Sequence, residues 1–180
     1  MLIERERSCL LLIDLQERLI LAMHEPAPVL RNAGILATAA KRLAIPIIVS
    51  EQYPKGLGPT DAALARLVAP EQPLAKTDFS CTTDPALAAR LESSGRDQAV
   101  LVGLESHVCL LQTALGLPHL GLAPFVVADA TTSRAPESRR LALERMARDG
   151  VEIVTTEMVL FEWLGRAGTA EFKELSALIR

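Results

Sequence analysis

Residues 101–117 read LVGLESHVCLLQTALGL, and they contain both kinds of segment from which the whole chain is built. A continuous apolar run ends at Gly103, a short polar stretch follows, and a second apolar segment with helical spacing begins close to Cys109. Continuous apolar runs are typical of strands covered on both faces, whereas the second pattern indicates a helix. The stretch therefore predicts a strand, an elbow and a helix, with a thiol in the first helical turn.

The same alternation of apolar runs and helical patterns extends along the chain. Six strands are predicted, at 8–14, 46–50, 74–77, 98–102, 124–128 and 151–155. Helices are predicted at 28–43, 61–68, 84–95, 106–117, 137–149, 157–164 and 169–179. Strands that alternate with helices through right-handed crossovers form a doubly wound parallel sheet. We therefore expect an α/β fold with three layers, α/β/α, in which residues 1–180 form one domain.

The composition narrows the classes of function. The chain has 180 residues, of which 49% are hydrophobic and 23% charged, and its net charge is -3. Without a basic block, this balance does not predict a nucleic-acid partner. No apolar run reaches the roughly 20 residues of a membrane span, so no membrane partner is expected. The mean hydropathy of +0.25 favours a homo-oligomer.

The three cysteines indicate the compartment. Cys9, Cys81 and Cys109 form no CxxC motif and cannot all pair, which is typical of free thiols in a reducing environment. We expect an intracellular, cytoplasmic protein. Cys9 is expected to be buried in the first strand and inert, and the sequence offers no partner for Cys81.

Three ionisable residues lie at or just after the carboxyl ends of predicted strands: Asp14, Lys76 and Cys109. Ligands of doubly wound sheets bind at this edge, where the strand order reverses. A helix N-terminus and a nearby cation such as Lys76 are expected to lower the pKa of the Cys109 thiol. Asp14 can take the thiol proton and return it to a leaving group. Together the three residues predict an acid–base-assisted nucleophile for a small-molecule substrate.

The segments that carry these residues, LLIDLQ, LAKTDFS and VLVGLESHVCLLQTA, resemble the three catalytic motifs of the isochorismatase-like cysteine hydrolases. This family includes nicotinamidases and N-carbamoylsarcosine amidase, and the resemblance implies the strand order 3-2-1-4-5-6. It implies that Asp14 is the proton-transfer base, Lys76 the stabiliser of the thiolate and Cys109 the nucleophile. It also implies a non-proline cis peptide between Leu104 and Glu105. The backbone amides of Glu105 and Cys109 would then form an oxyanion hole.

The chain is most similar to the poorly characterised isochorismatase-domain proteins, through SEQYPKGLGPT, VVADATTSRAPESR and the C-terminal segment that begins VTTEMVLFEWLG. Where nicotinamidases carry an Asp-x-His metal motif, this chain has SEQYPKGLGPT, without histidine. Neither a metal nor another cofactor is therefore predicted. Cys109 argues against hydrolysis of isochorismate, which needs no cysteine. The resemblance implies an amidase-type hydrolase that cleaves a small amide or related C–N substrate through a thioester.

Other polar residues near the predicted edge have less specific interpretations. Gln16 either contacts substrate or packs a loop, and Tyr53 and Lys55 either line the pocket mouth or belong to a solvated turn. His107 is expected to be a helix-start or interface residue, and Asp129 to brace a loop.

Two other classes of function remain open. The first is a non-catalytic binding or assembly protein that keeps the hydrolase fold. The second is a thiol redox sensor, for which the sequence offers no nearby resolving cysteine. Trp163 and Phe161 are interpreted as core or subunit-contact residues.

Overall fold

The computed structural model describes residues 1–179, and a six-stranded parallel sheet lies at its centre. The strands, numbered along the chain, are β1 (Ser8–Ile13), β2 (Ile47–Gln52), β3 (Leu74–Lys76), β4 (Gln98–Leu104), β5 (Ala123–Thr132) and β6 (Glu152–Val154). Their order in the sheet is β3-β2-β1-β4-β5-β6, and every neighbouring pair is parallel. The predicted α/β class and strand order are confirmed.

Helices cover both faces of this sheet. They are α1 (Glu17–Ile20), α2 (Pro26–Arg42), α3 (Pro54–Leu57), α4 (Ala62–Val68), α5 (Pro85–Ser93), α6 (Leu111–Gly116), α7 (Pro136–Arg148), α8 (Thr156–Leu164) and α9 (Ala170–Leu175). Buried side chains of α2, α4, α8 and α9 pack on one face, and those of α5, α6 and α7 on the other. None of the helices in residues 1–179 combines the length and apolarity needed to cross a membrane.

β1 shows how the sheet separates two cores. Successive side chains of a strand point to opposite faces. Leu10 and Leu12 accordingly belong to the core beneath α2, whereas Cys9, Leu11 and Ile13 belong to the core beneath α5 and α7. All of them are buried, which explains why the strand is apolar without alternation.

β4 approaches β1 most closely at Gly103. A Cβ at this position would lie 2.2 Å from the carbonyl oxygen of Ile13, so only glycine fits. Gly103 also has a φ of 153°, and the pairing of β4 with β5 shifts register between Leu101 and Gly103. Because Asp14 follows Ile13, this close approach brings the end of β4 next to that carboxylate.

The segments after β1 and β2 are hydrogen-bonded to each other. Gln16 and Thr60 form an isolated antiparallel bridge, and the Asp61 amide donates to the Leu15 carbonyl at 2.8 Å. The Asp61 side chain also caps α4 by accepting hydrogen bonds from backbone amides in its first turn. We refer to residues 14–21 and 53–61 together as the loop pair.

The helix predicted after β4 is divided in the structure. A π-helical turn, Ser106–Leu110, comes first, α6 continues it, and a 3₁₀ turn, Leu117–Leu120, closes it. Single π-helical turns occur frequently at functional sites. Cys109 lies in this turn, between β4 and α6.

Candidate active site

Asp14 and Lys76 form a fully buried ion pair at the carboxyl edge of the sheet. Lys76 Nζ lies 2.9 Å from Asp14 Oδ2, and both side chains are 0% exposed. Since β2 lies between β1 and β3, the Lys76 side chain reaches across β2 to the carboxylate. The structure thus brings together two of the three residues on which the predicted chemistry depends.

All three N–H groups of the Lys76 ammonium have acceptors. Besides Asp14, they are Gln52 Oε1 at 2.6 Å and the Phe79 carbonyl at 3.1 Å. Burial is the largest single influence and lowers the pKa of Lys76, but the charge and hydrogen bond of Asp14 and the charges that Cys109 and Cys81 carry when ionised together outweigh it, and the pKa is raised. Lys76 is therefore a firmly held cation.

β2 supplies the second partner of Asp14. Ser50 Oγ donates to Asp14 Oδ1 at 2.7 Å, and the Asp14 amide donates to the Ser50 carbonyl at 3.2 Å. Both carboxylate oxygens are thus occupied, one by a hydroxyl and one by an ammonium. The arrangement fixes the carboxylate while leaving it acceptor capacity for a proton.

Cys109 lies beside this pair with 4% of its surface exposed. Its thiol is within hydrogen-bonding distance of Gln52 Oε1, at 3.9 Å, and Thr113 Oγ1 donates to its carbonyl at 2.7 Å. Burial raises the pKa of the Cys109 thiol, the charge of Asp14 raises it further, and Lys76 only partly opposes them. The expectation of a lowered pKa is wrong for the free protein, because burial of the thiol and the nearby charge of Asp14 together outweigh the effect of Lys76.

The peptide bond between Leu104 and Glu105 is trans. In residues 1–179, the one cis peptide joins Ala69 to Pro70, so the expected non-proline cis bond is a wrong prediction. Glu105 instead turns the chain through a left-handed backbone, with φ 52° and ψ 61°. The elbow is made by one residue's φ and ψ, not by a cis amide.

The Glu105 carboxylate faces the end of β5. Arg134 Nε lies 2.7 Å from Glu105 Oε1, and His107 Nδ1 lies 3.4 Å from Oε2. His107 Nδ1 also contacts Ser133 Oγ at 3.0 Å, so His107 braces the start of the helical segment and does not reach Cys109.

Left-handed backbone recurs at the ends of three strands. Asp14, Tyr53 and Glu105 have φ values of 53°, 37° and 52°, and they directly follow β1, β2 and β4. A non-glycine residue in this region costs about 1–3 kcal/mol, and such strain clusters at active sites. Three of the five non-glycine residues with positive φ in residues 1–179 thus lie at this edge of the sheet, which makes it the candidate site.

The two interpretations of Gln16 are resolved in favour of packing. Its Nε2 donates to the carbonyls of Gln52 at 3.1 Å and Gly58 at 2.7 Å, and its Oε1 accepts from the Gln52 amide at 2.8 Å. The side chain is fully buried within the loop pair. Tyr53 and Lys55 are exposed on the same loops, and Tyr53 is 55% exposed.

The other singled-out residues lie mostly in structural positions. Asp129 Oδ1 accepts from the Thr156 amide and hydroxyl at the start of α8, and Trp163 is 2% exposed. Burial raises the pKa of Cys9 to about 11 and, with the charge of Asp14, that of Cys81 to about 11. In residues 1–179, no three His, Cys, Asp or Glu side chains are grouped as metal ligands.

Sequence reasoning missed Ser50 and Gln52, which link Asp14, Lys76 and Cys109. Both are uncharged and lie on β2, so they did not stand out among ionisable strand-end residues. The position of Gln52 as the last residue of β2, at the edge where ligands bind, is the signal that could have found it.

Comparisons with known proteins concern the family and the fold. The isochorismatase domain model matches residues 8–158. Isochorismatase domain-containing protein 1 of Salmo salar is 42% identical over 171 residues, which cover 93% of this chain and 59% of the salmon protein. The chain thus spans less than two thirds of that relative's length.

Solved structures share the whole fold. The MAR1 ribonuclease of Caenorhabditis elegans superimposes with a TM-score of 0.92 and 36% identity, over 99% of this chain and 92% of that one. The YcaC gene product of Escherichia coli, described as an octameric hydrolase of unknown specificity, has a TM-score of 0.92 and 22% identity. That match covers 98% of this chain and 90% of that one, and at this identity it concerns the fold alone.

Proposed function

Because the chain belongs to the isochorismatase family, whose hydrolase fold it shares, we propose that it hydrolyses a small amide or related C–N bond with Cys109 as the nucleophile. The observation that supports this proposal is the buried Asp14–Lys76 pair, joined at 2.9 Å, beside the Cys109 thiol. Removing charges from water is costly, so a buried ion pair is weak evidence for a stabilising role. At the ligand-binding edge of the sheet, it is better explained by chemistry.

In the first step, Cys109 Sγ attacks the carbonyl carbon of the substrate while its proton passes to Asp14. The carbonyl oxygen becomes an oxyanion, for which the proposed donors are the backbone amides of Glu105 and Cys109 at the left-handed elbow that stands in place of the expected cis peptide. Lys76 stays protonated and offsets the negative charge, which passes from Asp14 by way of the sulfur to the oxyanion as the C–S bond forms.

In the second step, the tetrahedral intermediate collapses and the C–N bond breaks. Asp14 returns its proton to the departing nitrogen, so ammonia or an amine leaves and an acyl thioester remains on Cys109. A water molecule then attacks the thioester and gives its proton to Asp14. The C–S bond breaks, the carboxylic acid departs, and the proton on Asp14 returns to the sulfur.

The site favours a small substrate. Asp14 and Lys76 have no exposed side-chain surface, and Cys109 is only 4% exposed. The C. elegans structure carries the name of a ribonuclease, and RNA is therefore the competing substrate to test. A net charge of -3 without a basic block disfavours a polynucleotide, which binds chiefly through its phosphates.

The proposal is tested by trapping the acyl-enzyme. The protein is mixed with small primary amides, N-carbamoyl compounds and an unstructured RNA, then quenched in acid and analysed by intact and peptide mass spectrometry. We expect the acyl mass on the Cys109 peptide and release of ammonia or amine, both absent in Cys109→Ala. Cys81→Ala is the control, because it removes a buried thiol outside the proposed chemistry.

Three results would overturn the proposal. They are unchanged turnover in Cys109→Ala, an acyl group on Cys81, and cleavage of RNA without turnover of any amide. If none of the compounds is turned over and Cys109→Ala still complements a deletion strain, a non-catalytic binding or assembly role replaces the hydrolase.

We also propose that the chain acts as a homo-oligomer in the cytoplasm. The E. coli neighbour is described as octameric, and Cys9, Cys81 and Cys109 are all free thiols, as suits a reducing compartment. Light scattering after size-exclusion chromatography tests the assembly, with a monomer mass as the contrary result.

A further inference from the structure

The amide oxygen of Gln52 lies between the cation and the thiol of the candidate active site. Gln52 Oε1 accepts from Lys76 Nζ at 2.6 Å and faces Cys109 Sγ at 3.9 Å. The other two N–H groups of Lys76 are held by Asp14 and the Phe79 carbonyl. In the free protein Lys76 therefore has no N–H left to donate to sulfur.

Gln52 is fixed in this orientation from both sides. Its Nε2 donates to the Thr77 carbonyl at 2.9 Å, and its backbone amide donates to Gln16 Oε1 at 2.8 Å. Because Gln52 Nε2 is hydrogen-bonded to a carbonyl, Gln52 Oε1 is the atom directed at Lys76 and Cys109. An amide oxygen only accepts hydrogen bonds, so it holds a thiol and disfavours a thiolate.

Apart from Lys76, the titratable groups around Cys109 supply no positive charge that would favour a thiolate. Asp14 is an anion, and Cys81 is a buried thiol whose pKa burial raises to about 11. Glu105, four residues before the nucleophile, is turned toward Arg134 and His107. Lys76 is the one nearby titratable group whose charge favours the thiolate.

We propose that Gln52 is a positioning residue that withholds Lys76 from Cys109 until the N–H of a substrate amide binds Gln52 Oε1. When that N–H replaces the ammonium as the donor to Gln52 Oε1, one ammonium N–H is freed, and it turns to the sulfur as the thiol proton passes to Asp14. Lys76 remains an ammonium throughout, so one proton moves and no other reactant is needed. This inference rests on the proposed function, and it requires a substrate whose amide group carries at least one N–H.

The test measures the thiol without any substrate. The rate of Cys109 alkylation by iodoacetamide is followed from pH 6 to 10 by peptide mass spectrometry, in the wild type and in Gln52→Leu. We expect Gln52→Leu to lower the apparent pKa of Cys109 by about one unit, which raises alkylation at neutral pH roughly tenfold. Gln72→Leu, in which an exposed glutamine before β3 is replaced, is the matched control and should alkylate like the wild type.

Two further variants keep the inference falsifiable. Gln52→Glu places a carboxylate beside the sulfur and is expected to slow alkylation, which also covers the case in which Gln52→Leu does not fold. When Gln52→Leu is combined with Lys76→Met, the increase in the Cys109 alkylation rate should disappear, because the Lys76 ammonium causes that increase. Thermal unfolding of each variant identifies any that do not fold.

An unchanged or raised apparent pKa in folded Gln52→Leu overturns the inference, as does faster alkylation in Gln52→Glu. This result is independent of the acyl-enzyme experiment. An acyl-enzyme without the Gln52→Leu effect refutes the role of Gln52 alone. The Gln52→Leu effect without an acyl-enzyme refutes the hydrolase.

Discussion

Two buried polar networks lie at opposite ends of the same two strands. At the amino ends of β1 and β4, the Trp163 indole N–H donates to Ser8 Oγ at 3.1 Å, and Ser8 Oγ donates to the Glu4 carbonyl at 2.7 Å. Gln98 completes this network by accepting from the Glu4 amide and donating to the Leu2 carbonyl. At the carboxyl ends, the network contains the Asp14–Lys76 ion pair and the Cys109 thiol.

The two networks differ in the free energy that their burial costs the folded protein. The side chains at the amino ends are neutral and fully hydrogen-bonded, and they tie the N-terminal segment and α8 to the sheet. Those at the carboxyl ends include two desolvated charges beside three left-handed residues. A stable fold does not need such an arrangement, so the comparison separates a structural end of the sheet from the end at which we propose the chemistry.

The largest effect is expected for Asp14→Asn. The amide keeps the shape of the carboxylate but cannot take the thiol proton, so kcat should fall by about 10³–10⁴-fold. The measurement is turnover of the amide identified in the trapping experiment, with Ser8→Ala expected to stay within a few-fold of the wild type. If Asp14→Asn retained a tenth of the activity, the assignment of the proton transfer to Asp14 would be contradicted.

Lys76→Met should have the largest effect on stability. It leaves the Asp14 charge buried without its cation, which lowers the free energy of unfolding by about 3–5 kcal/mol. Asp14→Asn combined with Lys76→Met removes both charges and should recover most of that loss. Urea unfolding of the single and double variants measures both values. If Lys76→Met lowered the free energy of unfolding by less than the loss of an exposed ion pair does, the burial of the Asp14–Lys76 pair would be contradicted.

A smaller loss, with no effect on catalysis, is expected for Ser8→Ala. The Trp163 indole N–H would lose its acceptor inside the core, which costs about 1–3 kcal/mol. Ser93→Ala, on the exposed surface of α5, is the matched control and should change stability by less than about 0.5 kcal/mol. A change in turnover in Ser8→Ala would show that the two ends of the sheet are coupled.

The smallest effect concerns the buried thiols at both ends. The pKa values of Cys9 and Cys81 are raised from 9.0 to about 11, chiefly by burial. Between these pH values the unfolded chain releases thiol protons that the folded protein keeps, so stability falls as the pH rises. Replacing either cysteine by alanine should reduce this slope by up to about 1.4 kcal/mol per pH unit. Urea unfolding at pH 8, 9 and 10 measures it, and a slope unchanged by both replacements contradicts the assignment.

The fold was predictable because its strands are buried on both faces. Segments such as SCLLLI in β1 are continuous apolar runs that no amphipathic helix would show. The short helices α1 and α3 were missed, because four residues are too few to display a helical period. β5 extends to Thr132, beyond its predicted end, since its last residues are polar but still hydrogen-bonded to β4.

The site was predictable only in its ionisable residues. Strand ends and residue type locate Asp14, Lys76 and Cys109, but the ionisation of Cys109 depends on contacts that sequence does not contain. Burial of the thiol, and after it the charge of Asp14, reverses the expected direction of the Cys109 pKa shift. The left-handed backbone of Glu105 could not be predicted either, because neither its residue type nor its position in the sequence indicates a positive φ.

The loop pair has a consequence for engineering substrate range. Gln16 binds Gly58 and Gln52, Arg18 Nη1 donates to the Gly56 carbonyl at 2.9 Å, and the Asp61 amide is bonded to Leu15. Grafting either segment alone from a relative would leave these partners mismatched and shift Gln52. Chimeras that exchange both segments together keep these hydrogen bonds, so the two loops can be transferred between relatives as a pair and not one at a time.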